Sequence, residues 1–301
     1  MELSDKKFAV LIDADNISHR KIKDILDEIA NYGTPTIKRI YGDFTDPKFA
    51  AWKSVLLENS ITPIQQYAYT TGKNATDSAL IIDAMDILHK ESVNGFCIVS
   101  SDSDYPRLAS RIRESGREVL GFGEKKTPKP FIKSCDKFIY VEILGQPAPA
   151  PAPVSAPAQT AAAVPAAKAA TPKKTAKKHQ GRNAPETDMP EAAPAEPAAA
   201  EKKVAPAPDT AQPQPIIRPI DDDFKTLLAN TIEDAADDSG WAFLGIVGGV
   251  LTKKMPDFDP RNYGYKKLSL LVKSLSKIVE IEERPSENKE LKLVYVRNRI
   301  R

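Results

Sequence analysis

Acidic residues stand in the first half of the chain where they could act together. The apolar run FAVLID (8–13) closes in Asp13-Ala14-Asp15-Asn16, and the run GFCIVSS (95–101) closes in Asp102-Ser103-Asp104. A further acid, Asp77, follows Asn74-Ala75-Thr76 at the head of a strongly apolar stretch, 76–89. Continuous apolar runs ending in acid read as buried parallel strands. Open parallel sheets bind ligands beyond the carboxyl ends of their strands, at a point where the strand order reverses. If strands one and four are neighbours there, Asp13, Asp102 and Asp104 converge, and Asp77 joins them if its helix starts over the same edge. Carboxylates in one cleft repel each other, and a hard divalent cation among them relieves that repulsion. Oxygen donors without His or Cys favour Mg2+ or Mn2+ over zinc. Such an ion can activate water for attack on a phosphodiester and neutralise the charge that develops.

Each acid also has a plainer role open to it. Asp15 or Asn16 could cap the first helix. Asp77 could be a first-turn acid placed by the helix dipole, Asp104 a cap for helix 105–115, and Asp102 the anchor of a turn. Asp83 and Asp86 fall inside the apolar helix and are expected on its solvated face. Asp43 and Asp46 are expected to shape a turn. The coincidence of acids at two strand ends and one helix start carries the signal.

The elements that must position these acids alternate. Strands are expected at 8–13, 36–42, 61–67, 95–101, 117–123 and 137–142, with helices at 17–30, 47–58, 76–89 and 105–115. This rhythm implies an α/β fold, a mostly parallel sheet with helices on both faces and right-handed crossovers. A lone GFG at 121–123 reads as a tight turn rather than a nucleotide fingerprint.

Length and composition narrow the classes. A chain of 301 residues suggests about two domains. Its 43 basic and 41 acidic groups nearly cancel, to +2, which excludes a uniformly basic coat. Two Cys and three scattered His exclude a disulfide framework and a Cys/His metal cluster. No apolar run approaches a membrane span, and the N-terminus does not read as a signal peptide. The expectation is a soluble, cytoplasmic protein. Residues 146–220 hold 16 Pro and 23 Ala and no aromatic residue. They read as a disordered linker between a domain at 1–145 and one at 221–301, and a tether of that kind implies two modules that do not dock rigidly. Its run KKTAKK (173–178) reads as a solvated spacer, with an auxiliary phosphate-contacting arm as the other reading.

The stretches VLIDADNI (10–17), KNATDSALIIDAMDIL (73–88), IVSSDSDYPRLASRIRESGREVLGFG (98–123) and SCDKFIYVE (134–142) resemble the NYN family, a branch of the PIN-like metal-dependent ribonucleases, and most of all its bacterial LabA-like group. The resemblance implies a PIN-like sheet. It also implies Mg2+ or Mn2+ at Asp13, Asp77, Asp102 and Asp104, with Asn16 beside the first as a further catalytic-site residue. Asp15 departs from the Gly or small polar residue commoner at its position.

Residues 221–301 read as a winged helix: apolar residues at helical spacing from Phe224 to Ile232, a second helix after Trp241 and Phe243, a third along 268–275, and a hairpin of 278–283 with 291–297. Between 251 and 277 there are seven basic residues against two acids, with Tyr263 and Tyr265 interleaved. That suits phosphate contact with base stacking, although a solvated helix face would look the same. The elements Pro256-Asp257-Phe258-Asp259, Arg261-Asn262-Tyr263-Gly264 and Leu268 through Val272 resemble the LOTUS domain, also called OST-HTH. RNA is the partner this resemblance implies, single-stranded or structured, and the basic run with its tyrosine offers Lys253, Lys254, Arg261, Tyr263, Lys266 and Lys267 as the contacts. The reading that follows is a metal-dependent ribonuclease with a tethered RNA-binding winged helix. A catalytically inactive RNA-binding or protein-interaction regulator is the competing class, and a metal-dependent phosphatase or DNA nuclease a third.

Overall fold

The structure is a computed structural model, and it describes residues 6–67, 75–90, 92–145, 218–285 and 292–299. The expected linker, including KKTAKK, lies almost wholly outside the described residues.

Six parallel strands form the first sheet: β1 (Lys7–Asp13), β2 (Thr34–Gly42), β3 (Thr62–Gln65), β4 (Gly95–Val99), β5 (Glu118–Gly123) and β6 (Lys137–Tyr140), in the order β3-β2-β1-β4-β5-β6. Strand β1 pairs with β2 on one side and β4 on the other, so the order reverses between β1 and β4. The helices are α1 (Ile22–Ile29), α2 (Trp52–Glu58), α3 (Ala75–Lys90), α4 (Pro106–Glu114) and α5 (Lys129–Ser134). Two cores flank the sheet. Phe8, Val10 and Ile12 pack with α1 and α2 on one face, and Ala9 and Leu11 pack with α3, α4 and α5 on the other. Burying each large aliphatic side chain stabilises the fold by about 1.5–3 kcal/mol. Successive strand residues alternate faces, which puts Asp13 on the side of Ala9 and Leu11, toward α3 and α4.

Several elements differ from expectation. The first helix is shorter than 17–30, because Asn16 turns back to Asp13 and Ser18 caps a 3-10 turn at His19–Lys21 instead. Helix α5 was not expected; six residues are too few to show a helical period. The GFG at 121–123 lies inside β5 rather than in a turn. A Cβ on Gly121 would meet Phe138 at 2.5 Å, and one on Gly123 would meet the Ser100 carbonyl at 2.6 Å, so close packing explains both glycines. Asp83 is not on a solvated face. It is half-buried and accepts from the Tyr41 hydroxyl and the Arg39 guanidinium of β2, whereas Asp86 is exposed and pairs with Lys90. Asp46 caps the turn at Pro47–Phe49.

The C-terminal part is a winged-helix arrangement of α6 (Asp222–Asp234), α7 (Leu244–Lys254) and α8 (Leu268–Ser274) with the sheet β7-β9-β8, where β7 is Ala242–Phe243, β8 Val279–Pro285 and β9 Lys292–Asn298. Phe224, Leu228, Thr231 and Ile232 give α6 its buried face, and Asp221 caps its first turn.

The two folded parts belong to one compact unit, contrary to the expectation of modules that do not dock. Arg261 forks onto Glu28 of α1 at 3.0 and 2.8 Å while also holding Asp259. Tyr140 donates to Asp257 and accepts from Arg218, which also binds Asp257. The amide of Phe138 on edge strand β6 donates to the Pro256 carbonyl at 2.8 Å. An open strand edge invites pairing with another chain, and this contact uses part of it.

Candidate active site

The acids meet at the carboxyl end of the sheet, where β1 and β4 diverge. Asp13 is fully buried. Its Oδ2 accepts from Asn16 Nδ2 at 2.7 Å, from Ser100 Oγ at 2.8 Å and from the Tyr105 hydroxyl at 3.3 Å. Its Oδ1 accepts from the Asp15 amide. Ser100 is placed by the ladder, since its amide continues the β4–β5 pairing to Phe122. Asn16 Nδ2 also lies 3.4 Å from Asp102 Oδ2, and Asp102 Oδ1 accepts from the Asp104 amide.

Asp77 sits in the first turn of α3, over the same edge. The Tyr105 hydroxyl donates to its Oδ1 at 2.6 Å, so one buried phenol at the head of α4 touches acids from α3 and β1. Sequence reasoning missed Tyr105 and Ser100. A tyrosine directly after an acidic strand end was the available signal, but a buried aromatic ring reads first as core. Asp15 is exposed and pairs with Lys48 at 2.9 Å. Asp104 is exposed, bonded by Ser103.

The electrostatics follow from this geometry. Burial pushes the Asp13 carboxyl up to about 6, against the pull of Asn16 and Ser100, and the charge of Asp77 adds to the rise. Burial also raises Asp77, with Asp102, Asp104 and Asp15 adding repulsion and Tyr105 opposing it. Burial and the neighbouring acids push the Tyr105 phenol far above its ordinary range, so it remains a hydrogen-bond donor.

Among the described residues, no three carboxylate, imidazole or thiol groups stand together as a ready cation cage. The site is looser than the four converging carboxylates expected from sequence, because Asn16 and Tyr105 occupy the gaps between them. The donor chemistry still fits a hard divalent ion. The groups are all oxygen, two are destabilised as anions, and Mg2+ is commonly held by one or two carboxylates with waters and substrate phosphates.

The expected RNA contacts divide. Lys253, Lys266 and Lys267 are exposed. Lys254 pairs with Asp234 at 2.6 Å. Arg261 is committed to Glu28 and Asp259. Tyr263 is buried, its ring 4.7 Å from that of Phe224, so it packs the core and offers no open face to a base.

Comparison with known families fits this architecture. Residues 7–143 match the NYN domain and residues 215–291 the OST-HTH/LOTUS domain. The chain thus carries an NYN domain followed by an OST-HTH/LOTUS domain, a combination that supports a nuclease or RNA-associated role. A solved protein of unknown function from Vibrio parahaemolyticus RIMD 2210633 is 20% identical, over 46% of this chain and 96% of its own, with a TM-score of 0.39. An uncharacterized protein from Nitrosomonas europaea, solved by NMR, is 35% identical over 34% of this chain and 94% of its own, with a TM-score of 0.26. Comparison with curated proteins gave no match. Among the described residues, no helix is long and apolar enough to cross a membrane.

Proposed function

We propose that the chain is a ribonuclease dependent on Mg2+ or Mn2+, hydrolysing RNA phosphodiester bonds at the acidic edge of the NYN domain. The observation that carries this reading is Asp13: a fully buried carboxylate at the sheet's reversal point, raised to about 6 and linked through Asn16 to Asp102 and through Tyr105 to Asp77. A buried acid under that strain is a marker of functional sites.

Asp13, Asp77, Asp102 and Asp104 would hold the ion, which when bound would supply a Lewis acid for the phosphodiester and a more acidic water. The chain's own residues do the positioning. Asn16 spans Asp13 and Asp102, and Tyr105 spans Asp13 and Asp77. Ser100 fixes Asp13 from the β4 side. At the same edge, the turn after β5 carries Lys125 and helix α5 opens with Lys129, both exposed. Their charge can draw a phosphate toward an otherwise acidic cleft.

One observation favours the second reading, a catalytically inactive RNA-binding or protein-interaction regulator: the gaps between carboxylates are bridged by protein hydrogen bonds. The test is incubation of the purified chain with matched RNA and DNA oligonucleotides in Mg2+, Mn2+ or chelator. Cleavage of RNA that needs metal supports the enzyme. Binding of RNA without cleavage in any metal supports the regulator.

A further inference from the structure

We infer a second RNA-binding site, a basic cleft at the seam between the NYN and OST-HTH/LOTUS domains, far from the acidic edge. It rests on the RNA reading given above. The cleft holds about 760 Å3 and lies at the amino ends of β5 and β6, against α7. The acids lie beyond the carboxyl ends of β1 and β4, so the length of a strand, about 20 Å, separates the two.

Five cations line the cleft: Arg113, Arg117, Lys133 and Lys137 from the NYN domain and Lys253 from the other. Two acids also line it, and both are engaged. Glu118 binds Lys6 at 2.7 Å, and Asp136 binds Arg113 at 2.9 Å and the Val119 amide. Arg117, Lys133 and Lys253 have no charged partner among the described residues. Three uncompensated cations from two domains around one open cleft suit a chain of phosphates, which neutralises several at once and releases counterions. The docking contacts of Arg261 with Glu28 and of Pro256 with Phe138 hold the two walls together.

Gly249 is an independent pointer. It lines the cleft from the middle of α7, and a Cβ there would meet nothing within 4 Å. Packing within the chain therefore does not call for glycine, although glycine costs about 1 kcal/mol relative to alanine inside a helix. A ligand backbone lying against the helix supplies the reason.

The test uses the full chain and a fluorescent 20-nucleotide oligo(U) RNA in chelator, with anisotropy read across a salt series. The triple variant Arg117→Ala/Lys133→Ala/Lys253→Ala should weaken binding about tenfold or more at low salt. It should also flatten the log–log salt slope by about 2, at ~0.7 per lost phosphate contact. Gly249→Gln, which favours the helix and leaves the charge unchanged, should weaken binding with unaltered or raised thermal stability. Wild-type binding with both variants unchanged in affinity and slope would overturn the cleft and leave the RNA reading standing. No binding by the wild type at low salt would overturn both.

Discussion

The Tyr105 hydroxyl donates to Asp77 Oδ1 at 2.6 Å, although the two residues stand at the heads of different helices. Helix α3 leads into β4 and helix α4 leaves it, so both helix heads lie over the carboxyl edge where β1 ends. The phenol also lies 3.3 Å from Asp13 Oδ2.

Removing that hydroxyl should loosen the site while sparing the fold. In Tyr105→Phe the ring still fills its buried place, but Asp77 and Asp13 lose a donor. Loss of a partner that orients a metal ligand typically costs ten- to a hundredfold in metal affinity or activity. The Mn2+ concentration for half-maximal cleavage should therefore rise by about that factor. An unchanged Mn2+ dependence would show that the phenol is only core.

Asp13 makes stability depend on pH in a defined direction. Its carboxyl holds a proton up to about pH 6 in the native chain, against 3.8 ordinarily. Between those values the native chain binds more proton than the unfolded one, so stability falls as pH rises and the full cost stands above about pH 6. At 1.36 kcal/mol per pKa unit that cost is about 3 kcal/mol. In chelator, Asp13→Asn should be more stable than wild type near pH 7.5, with the advantage shrinking toward pH 4. Urea unfolding across that range is the measurement, and an advantage that does not vary with pH would contradict the strain assigned to Asp13.

Glu28 anchors the docked C-terminal domain. Glu28→Gln removes the charge that both Arg261 nitrogens grip, a class of contact worth about 1.5–3 kcal/mol. The Phe138 amide, bonded to Pro256 across the seam, should then exchange with solvent about tenfold faster or more. Unchanged exchange would mean that the other seam contacts suffice.

Asp83 should act on stability alone. Asp83→Ala strips the acceptor from the buried Tyr41 hydroxyl and from Arg39, costing about 1–3 kcal/mol. Cleavage per folded molecule should be unchanged. Lost cleavage at full stability would bring Asp83 into the site.

The apolar runs of β1 and β4 are buried throughout and closed by acid, so their strand character and the place of Asp13 at a strand end were legible from sequence, whereas their adjacency stood there only as a condition, because strand order is set by tertiary pairing. Tyr105 was not, because whether a buried aromatic's hydroxyl reaches a carboxylate depends on how two helices land on the sheet. Arg261 and Tyr263 stand in a run whose composition suits phosphate contact and base stacking. Their commitment to Glu28 and to Phe224 is tertiary and leaves no mark in local spacing. Docking was hidden for a similar reason: an aromatic-free linker speaks for its own solvation and says nothing of the surfaces it joins.

The central claim is that the acidic edge hydrolyses RNA through Asp13. Its most direct test compares single-turnover cleavage of one RNA by wild type and by Asp13→Asn at the same Mn2+ concentration, both confirmed folded. The account predicts metal-dependent cleavage by wild type and a loss of at least about a hundredfold, or about 2.7 kcal/mol in the barrier, in the variant. Equal rates for the two proteins would contradict it.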